Sequence, residues 1–199
     1  MTEPRRPYYV SFTHDRMPQQ IDHSRLRPGP PGGSGHRVGH TSVRQTGRLV
    51  FAWDAGPVQA GGLVPLHANS VNVYFRLTDF VVAISSGFAV RSCAYEATRR
   101  HEFEAHLYDP IRIFHSYREV LIQRLNAVSV PTREAPLHVP SSQVQARQEE
   151  VERRVVAVIG QTRRELARDL SEARDRQDSP ESYRLAHNQC TDAQWASGR

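Results

Sequence analysis

The sequence predicts an α+β fold, in which a small antiparallel sheet is followed by a motif helix and two further helices, with a disordered N-terminal arm. Short runs rich in β-branched and aromatic residues occur between residues 49 and 86, as expected for strands. From residue 94 onward, apolar residues recur at helical spacing instead. Residues 1–46 are rich in Pro, Gly and Arg, a composition that suits neither a helix nor a strand. We therefore expect a disordered arm over 1–46 and a single domain over 47–199.

Charge and composition limit the classes of function. The formal net charge is +5, but all 26 basic residues are Arg, as in proteins from GC-rich genomes, and acids alternate with them over 145–178. A nucleic-acid partner is therefore not favoured. No window approaches the ~18 apolar residues of a membrane span, and residues 1–20 lack the apolar core of a signal peptide. The sequence as it stands predicts a cytoplasmic protein, or a periplasmic or secreted one if an upstream leader is removed.

Three strands are predicted. Residues 49–53 form a short apolar run that stops before a Gly-Pro pair, and residues 70–77 alternate with period two. Residues 79–86 form a third run, which ends at Gly87. Because the connections between these runs are short, we expect antiparallel pairing.

Three helices are predicted after the strands. The first covers 94–108, where neither Gly nor Pro occurs, and Asp109-Pro110 interrupts it. The second covers 111–128, and the third begins at the Ser141-Ser142 cap and runs to about residue 178. The apolar stripes of the second and third helices consist of Phe114, Tyr117, Leu121, Leu125 and Val128, and of Val151, Val155, Val158, Thr162, Leu166 and Ala173.

The first predicted helix carries His-Glu-Phe-Glu-Ala-His at residues 101–106. Two His and a Glu on one helix are typical of zinc-dependent peptidases, in which the imidazoles bind Zn²⁺ and the Glu activates a zinc-bound water. His101 and His106 are five residues apart, which places them about 140° apart on a regular helix. A one-residue π-bulge would bring both onto one face. The alternative pair is Glu102 with His106, which are four residues apart.

The six-residue motif resembles the HExxGH helix of the dipeptidyl peptidase III family, with Ala105 where that family has Gly. The resemblance implies that His101 and His106 are zinc ligands and that Glu102 is the base that activates water. Because the resemblance covers only six residues, it implies how the two His and the Glu are arranged around a metal ion, and it implies nothing about the substrate.

A wider resemblance runs from Ser92-Cys93-Ala94-Tyr95 through the motif to Gln189-Cys190. Over this span the chain is similar to uncharacterised bacterial zincin-like proteins, in which a late Cys closes a disulfide. The resemblance implies a zincin-like domain over 47–199. Those proteins are typically exported and have their two His four residues apart, and this chain departs from both features.

A third metal ligand is required, and two residues are candidates. Glu165 lies beside the apolar stripe of the third predicted helix, and the usual arrangement in this class is a carboxylate from a later helix. The other interpretation is that Glu165 and Asp169 flank Arg164 and Arg168 and form solvent-exposed salt bridges with them. His187 comes within reach of the motif if Cys93 pairs with Cys190. The sequence leaves both candidates open.

The motif predicts a zinc-dependent metallohydrolase that acts on a peptide or protein substrate, with Glu102 activating a zinc-bound water. The alternative is a non-catalytic interaction protein that presents the charged helix at 145–178 to a protein partner. The metallohydrolase requires bound Zn²⁺, whereas the interaction protein requires none. No pattern in the chain predicts an oligomeric state.

Overall fold

The computed structural model describes residues 7–17, 22–24 and 39–196, and within them the fold is α+β, as predicted. Two compact units share the chain, and each is built from three segments. Unit 1 takes its described residues from the ranges Met1–Thr13, Gly47–Phe75 and His115–Ala167. Unit 2 takes its described residues from the ranges His14–Thr46, Arg76–Phe114 and Arg168–Arg199.

The strands, in chain order, are β1 (Tyr8–His14), β2 (Asp22–Ser24), β3 (Gly39–Ala55), β4 (Leu63–Ser85) and β5 (Leu137–Pro140). Each of the other four strands pairs with β4. β2 runs parallel to β4, with Asp22 opposite Ala83, and β5 runs antiparallel, with Leu63 opposite Pro140. The sheet is therefore mixed, and the prediction of a purely antiparallel sheet is wrong. Since β2 and β4 are separated by the whole of β3, the chain has the length that a parallel crossover needs.

The sequence predicts two strands in a region where the structure has one long strand, β4. The predicted strands at 70–77 and 79–86 are both covered by β4 up to Ser85, and the predicted strand at 49–53 lies within β3. Asp79, which begins the later predicted strand, has a φ of 55°. Asp is one of the few residues that adopt this left-handed conformation without a large penalty. The strand therefore continues through this point.

Part of the segment that the sequence assigns to a disordered arm is in strands. β1, β2 and the first residues of β3 all precede residue 47. Val10 and Phe12 are buried in β1, and the Phe12 ring lies 4.9 Å from that of Phe75. The expectation of disorder does not hold for these strands, because Val10 and Phe12 alternate along β1 and both are buried on one of its faces. The Pro/Gly-rich run at 27–35 lies outside the described residues.

The helices are α1 (Cys93–Phe103), α2 (Asp109–Asn126), α3 (Val144–Gln177), α4 (Pro180–His187) and α5 (Asp192–Ala196). A π-helical turn, Glu104–Tyr108, joins α1 to α2, and a 3-10 turn, Ser141–Gln143, precedes α3. The three predicted helices are confirmed as α1, α2 and α3, whereas the short helices α4 and α5 were not predicted.

The two predicted apolar stripes are buried along most of their length. Their buried members are Phe114, Tyr117, Leu121 and Leu125 on α2, and Val151, Val155, Thr162, Leu166 and Ala173 on α3. In the part of the chain that the structure describes, no helix is both long and apolar enough to cross a membrane.

Candidate metal centre

The predicted break at Asp109-Pro110 is replaced by a π-helical turn. The amide of Asp109 donates to the carbonyl of Glu104, five residues earlier. Proline has no N–H, and its ring crowds the carbonyl four residues before it, so a regular turn ahead of Pro110 would be strained. The wider turn accommodates Pro110 within a helix that continues from α1 into α2. The prediction of an interruption is therefore wrong, and the same proline favours the π turn.

The π turn brings His101 and His106 together. Their Nε2 atoms are 3.2 Å apart, and the rings meet edge to face with centroids 4.9 Å apart. One extra residue in the turn reduces their angular separation from about 140° to about 40°. The π-bulge that a shared site for His101 and His106 needs is therefore present.

Asp178, the residue that follows α3, adds an oxygen to this pair. Its Oδ1 lies 3.3 Å from Nε2 of His106. Among the described residues, His101, His106 and Asp178 form a group able to hold a metal ion, since their ligand atoms all lie within 4.8 Å of one another. Gln177 donates to Oδ2 of Asp109 at 2.7 Å and so fixes the end of α3 beside the start of α2.

The two imidazoles are held in their neutral form. Burial lowers the pKa of His101 and His106, and the Asp178 carboxylate opposes this by raising both. Charge repulsion from Arg174, and from His101 and His40 when these are protonated, lowers the pKa of His106 further. Neutral imidazole is the form that binds metals, so these rings do not have to lose a proton to bind an ion at pH 7.

Tyr183 on α4 contacts two members of the group. Its hydroxyl donates to Oδ1 of Asp178 at 2.9 Å, and its ring lies 5.3 Å from that of His101. α4 begins immediately after Asp178, because the Ser179 side chain accepts from the amide of Ser182 and caps the helix.

Glu102, the predicted base, is buried against the start of β3. Its Oε2 accepts from the Thr41 hydroxyl at 2.7 Å, and only 6% of the residue is exposed. A Cβ on Gly39 would clash with the Glu102 side chain, so the glycine permits this close approach. The Glu102 carboxylate is therefore fixed in position by β3, and it is not part of the three-residue group.

The two residues predicted as alternatives for the third ligand have other neighbours. Glu165 pairs with Arg124 at 2.6 Å and accepts from Gln161 at 3.0 Å. The His187 ring stacks on Trp195 with centroids 5.1 Å apart, and its Nε2 lies 4.0 Å from Oδ1 of Asp192. In the group that contains His101 and His106, the third position is occupied by Asp178.

A disulfide joins Cys93, at the start of α1, to Cys190, which follows α4. The pairing that the wider resemblance implied is thus present. Beyond it, the Trp195 ring packs edge to face on Phe88 at 5.6 Å and its Nε1 donates to the carbonyl of His187 at 2.8 Å. The segment that follows α3 is therefore fastened to the start of the motif helix.

Sequence reasoning missed Asp178 and the residues from β3. The sequence places Asp178 at the end of the third predicted helix, where a carboxylate is also a candidate ligand beside Glu165. It does not identify His40 or Thr41 as neighbours of the motif. No sequence signal indicated that β3 would reach the motif helix, because this contact joins residues that are 61 positions apart.

No protein-family model, curated protein or solved structure matches this chain. The comparisons therefore give no support to membership of a zincin family. The side chains of the site are therefore the observations that bear on function.

Proposed function

We propose that His101, His106 and Asp178 bind Zn²⁺ and that the protein is a zinc-dependent hydrolase of a peptide or protein substrate. The separation of the ligand atoms carries the proposal. Two atoms bound at 2.0–2.1 Å to a tetrahedral zinc lie about 3.3 Å apart. The corresponding distances here are 3.2 Å between the two imidazoles and 3.3 Å from His106 to Asp178. Two of the three pairs are therefore spaced as in a tetrahedral zinc site, and the ligand atoms of all three residues lie within 4.8 Å of one another.

The chemistry of the ligands supports zinc. Catalytic zinc sites have three protein ligands of the His and carboxylate type and leave a fourth position open. Two His and one carboxylate also bind non-haem Fe²⁺. We favour zinc because a Glu follows the first His in the motif, as in zinc peptidases, and because His101 and His106 share one helix.

Glu102 supports hydrolysis over storage or a structural role for the metal. It lies about 100° from His101 around α1 and, after the π turn, about 60° from His106, which is the placement that Glu has in the common HExxH helix. Bound zinc supplies a Lewis acid that lowers the pKa of water to about 7. Glu102 acts as the general base, with Thr41 holding one carboxylate oxygen.

The disulfide supports a periplasmic or secreted location over a cytoplasmic one. Structural disulfides persist in oxidising compartments and are rare in the cytosol. Both cysteines of the chain are used in this bond.

The alternative, an interaction protein that presents the charged helix, has less support. The charges on α3 pair along the helix itself, as in Arg147 with Glu150, Glu149 with Arg153, and Arg168 with Glu172. Such pairs are satisfied without a partner. A purified protein that binds no metal would favour this alternative.

The zinc content of the purified protein tests the site. We expect about one zinc per chain in the wild type and almost none in His101→Ala or His106→Ala, because each substitution leaves two ligands where at least three are needed. Mass spectrometry of protein purified without chelators measures the content. His138→Ala, which removes an exposed imidazole from β5, is the control and should retain the zinc. A wild type that neither contains zinc nor takes it up contradicts the site.

Glu102→Gln tests the hydrolase. We expect it to retain zinc and to lose activity on unfolded protein or peptide substrates by about 10²–10⁴-fold in kcat, the usual contribution of a general base. Glu104→Gln, which neutralises an exposed carboxylate of the same motif, should leave kcat unchanged. Equal turnover by Glu102→Gln and the wild type contradicts the role of Glu102. A zinc-loaded wild type that cleaves none of a broad peptide library contradicts the hydrolase and leaves the metal site intact.

A further inference from the structure

We infer that Tyr183 is a positioning residue of the metal site, in which its hydroxyl holds the Asp178 carboxylate toward the two imidazoles. The inference rests on the proposed metal site. It concerns a residue of α4, outside the motif helix, and it does not depend on whether the protein is a hydrolase.

The hydrogen bond is made to the oxygen that faces the imidazoles. Oδ1 of Asp178 lies 3.3 Å from Nε2 of His106 and accepts from the Tyr183 hydroxyl at 2.9 Å. A carboxylate oxygen has two lone pairs, so Oδ1 can accept this bond and still bind a metal. The bond from Tyr183 therefore orients the ligand without occupying it.

Asp178 gains from such support because its side chain is partly exposed. Its side chain is 42% exposed, and it lies in the short connection between α3 and α4. A side chain with this exposure samples several rotamers, and each rotamer that turns Oδ1 away from His106 lowers the affinity for metal. Hydrogen bonds to ligating carboxylates are a general device for avoiding this loss.

Tyr183 is itself held in place. Its ring lies 5.3 Å from that of His101, and its hydroxyl donates to Asp178. The Tyr183 side chain therefore contacts two of the three proposed ligands. Its helix is capped by Ser179 at one end and is followed by Cys190, which is bonded to Cys93 at the other. The hydroxyl is thus positioned before any ion arrives.

Tyr183→Phe tests the inference, because it removes the hydroxyl and keeps the ring beside His101. We expect the affinity for Zn²⁺ to fall by about 10–100-fold, the usual effect of losing a hydrogen bond to a metal ligand. Competition with a zinc-chelating dye measures it. Tyr108→Phe is the matched control: Tyr108 is also exposed, it lies in the π turn against Phe103, and its substitution should leave the affinity unchanged.

Three further measurements separate positioning from a structural role. The metal-free thermal midpoint should be the same in Tyr183→Phe and the wild type, whereas the visible spectrum of the Co²⁺-loaded protein should change only in Tyr183→Phe. Addition of zinc to the wild type should also produce a near-ultraviolet tyrosine difference spectrum that Tyr108→Phe retains. If Tyr183→Phe does not fold, this difference spectrum decides, and its absence overturns the inference.

The outcomes distinguish this inference from the proposed site. Equal zinc affinity in Tyr183→Phe and the wild type overturns the positioning role and leaves the metal site intact. A wild type that binds no zinc overturns both.

Discussion

Replacing Cys93 and Cys190 with Ser is expected to lower the free energy of unfolding by about 4 kcal/mol. The two residues are separated by 97 positions. A cross-link that closes a loop of roughly 100 residues reduces the entropy of the unfolded chain by an amount worth about 4.7 kcal/mol, and removal of native disulfides commonly costs about 2–5 kcal/mol. Urea unfolding of the oxidised wild type and of the double variant measures the difference.

The control for this prediction is the wild type itself under reducing conditions. Its free energy of unfolding should fall to that of the double variant, since both lack the cross-link. Amide exchange should also become faster in α4 and α5, because helices of eight and five residues depend on their attachment to α1. An unchanged free energy of unfolding in the double variant would show that the bond does not restrain the unfolded chain as we expect.

The fold was predictable to the extent that its elements repeat a local pattern. The helices α1, α2 and α3 follow from apolar spacing, and burial of stripe residues such as Leu121 and Val155 confirms the spacing. The sheet was less predictable. Its parallel pair depends on where β2 meets β4, and its long strand depends on the φ of one residue, Asp79. Neither feature leaves a periodic signal.

The candidate site also has one part that the sequence could predict and one part that it could not. The π turn could be predicted because His101 and His106 have to share a face for the motif to bind an ion, and Pro110 adds a steric reason for it. The third member of the site, Asp178, could not be predicted. Glu165 has a suitable position on its helix, but the helical period does not reveal that Arg124 pairs with it. Whether a residue at the end of α3 meets the motif depends on the path of the whole helix.

Asp178→Asn is expected to weaken zinc binding by more than about 100-fold. Loss of a hydrogen bond to a metal ligand commonly costs about 10–100-fold in affinity, and this substitution replaces the proposed ligand itself. Asn has the size of Asp and retains one side-chain oxygen, but a neutral amide is a much poorer zinc ligand than a carboxylate. The substitution also removes the negative charge that raises the pKa of His106. The pKa of His106 should therefore fall further, and its imidazole stays neutral. The lost affinity cannot then be attributed to protonation of His106.

Glu165→Gln and His187→Ala are the matched controls for this prediction, because each removes one of the other candidate ligands. Glu165→Gln loses the ion pair with Arg124 and should be less stable, yet it should bind zinc as tightly as the wild type. His187→Ala loses its stacking on Trp195 and should also retain zinc. Competition with a chelating dye compares all three variants under one condition. If Asp178→Asn binds zinc as tightly as the wild type and one of the controls binds it more weakly, the residue replaced in that control is the third ligand. The 3.3 Å distance between Asp178 and His106 would then not indicate a metal ligand.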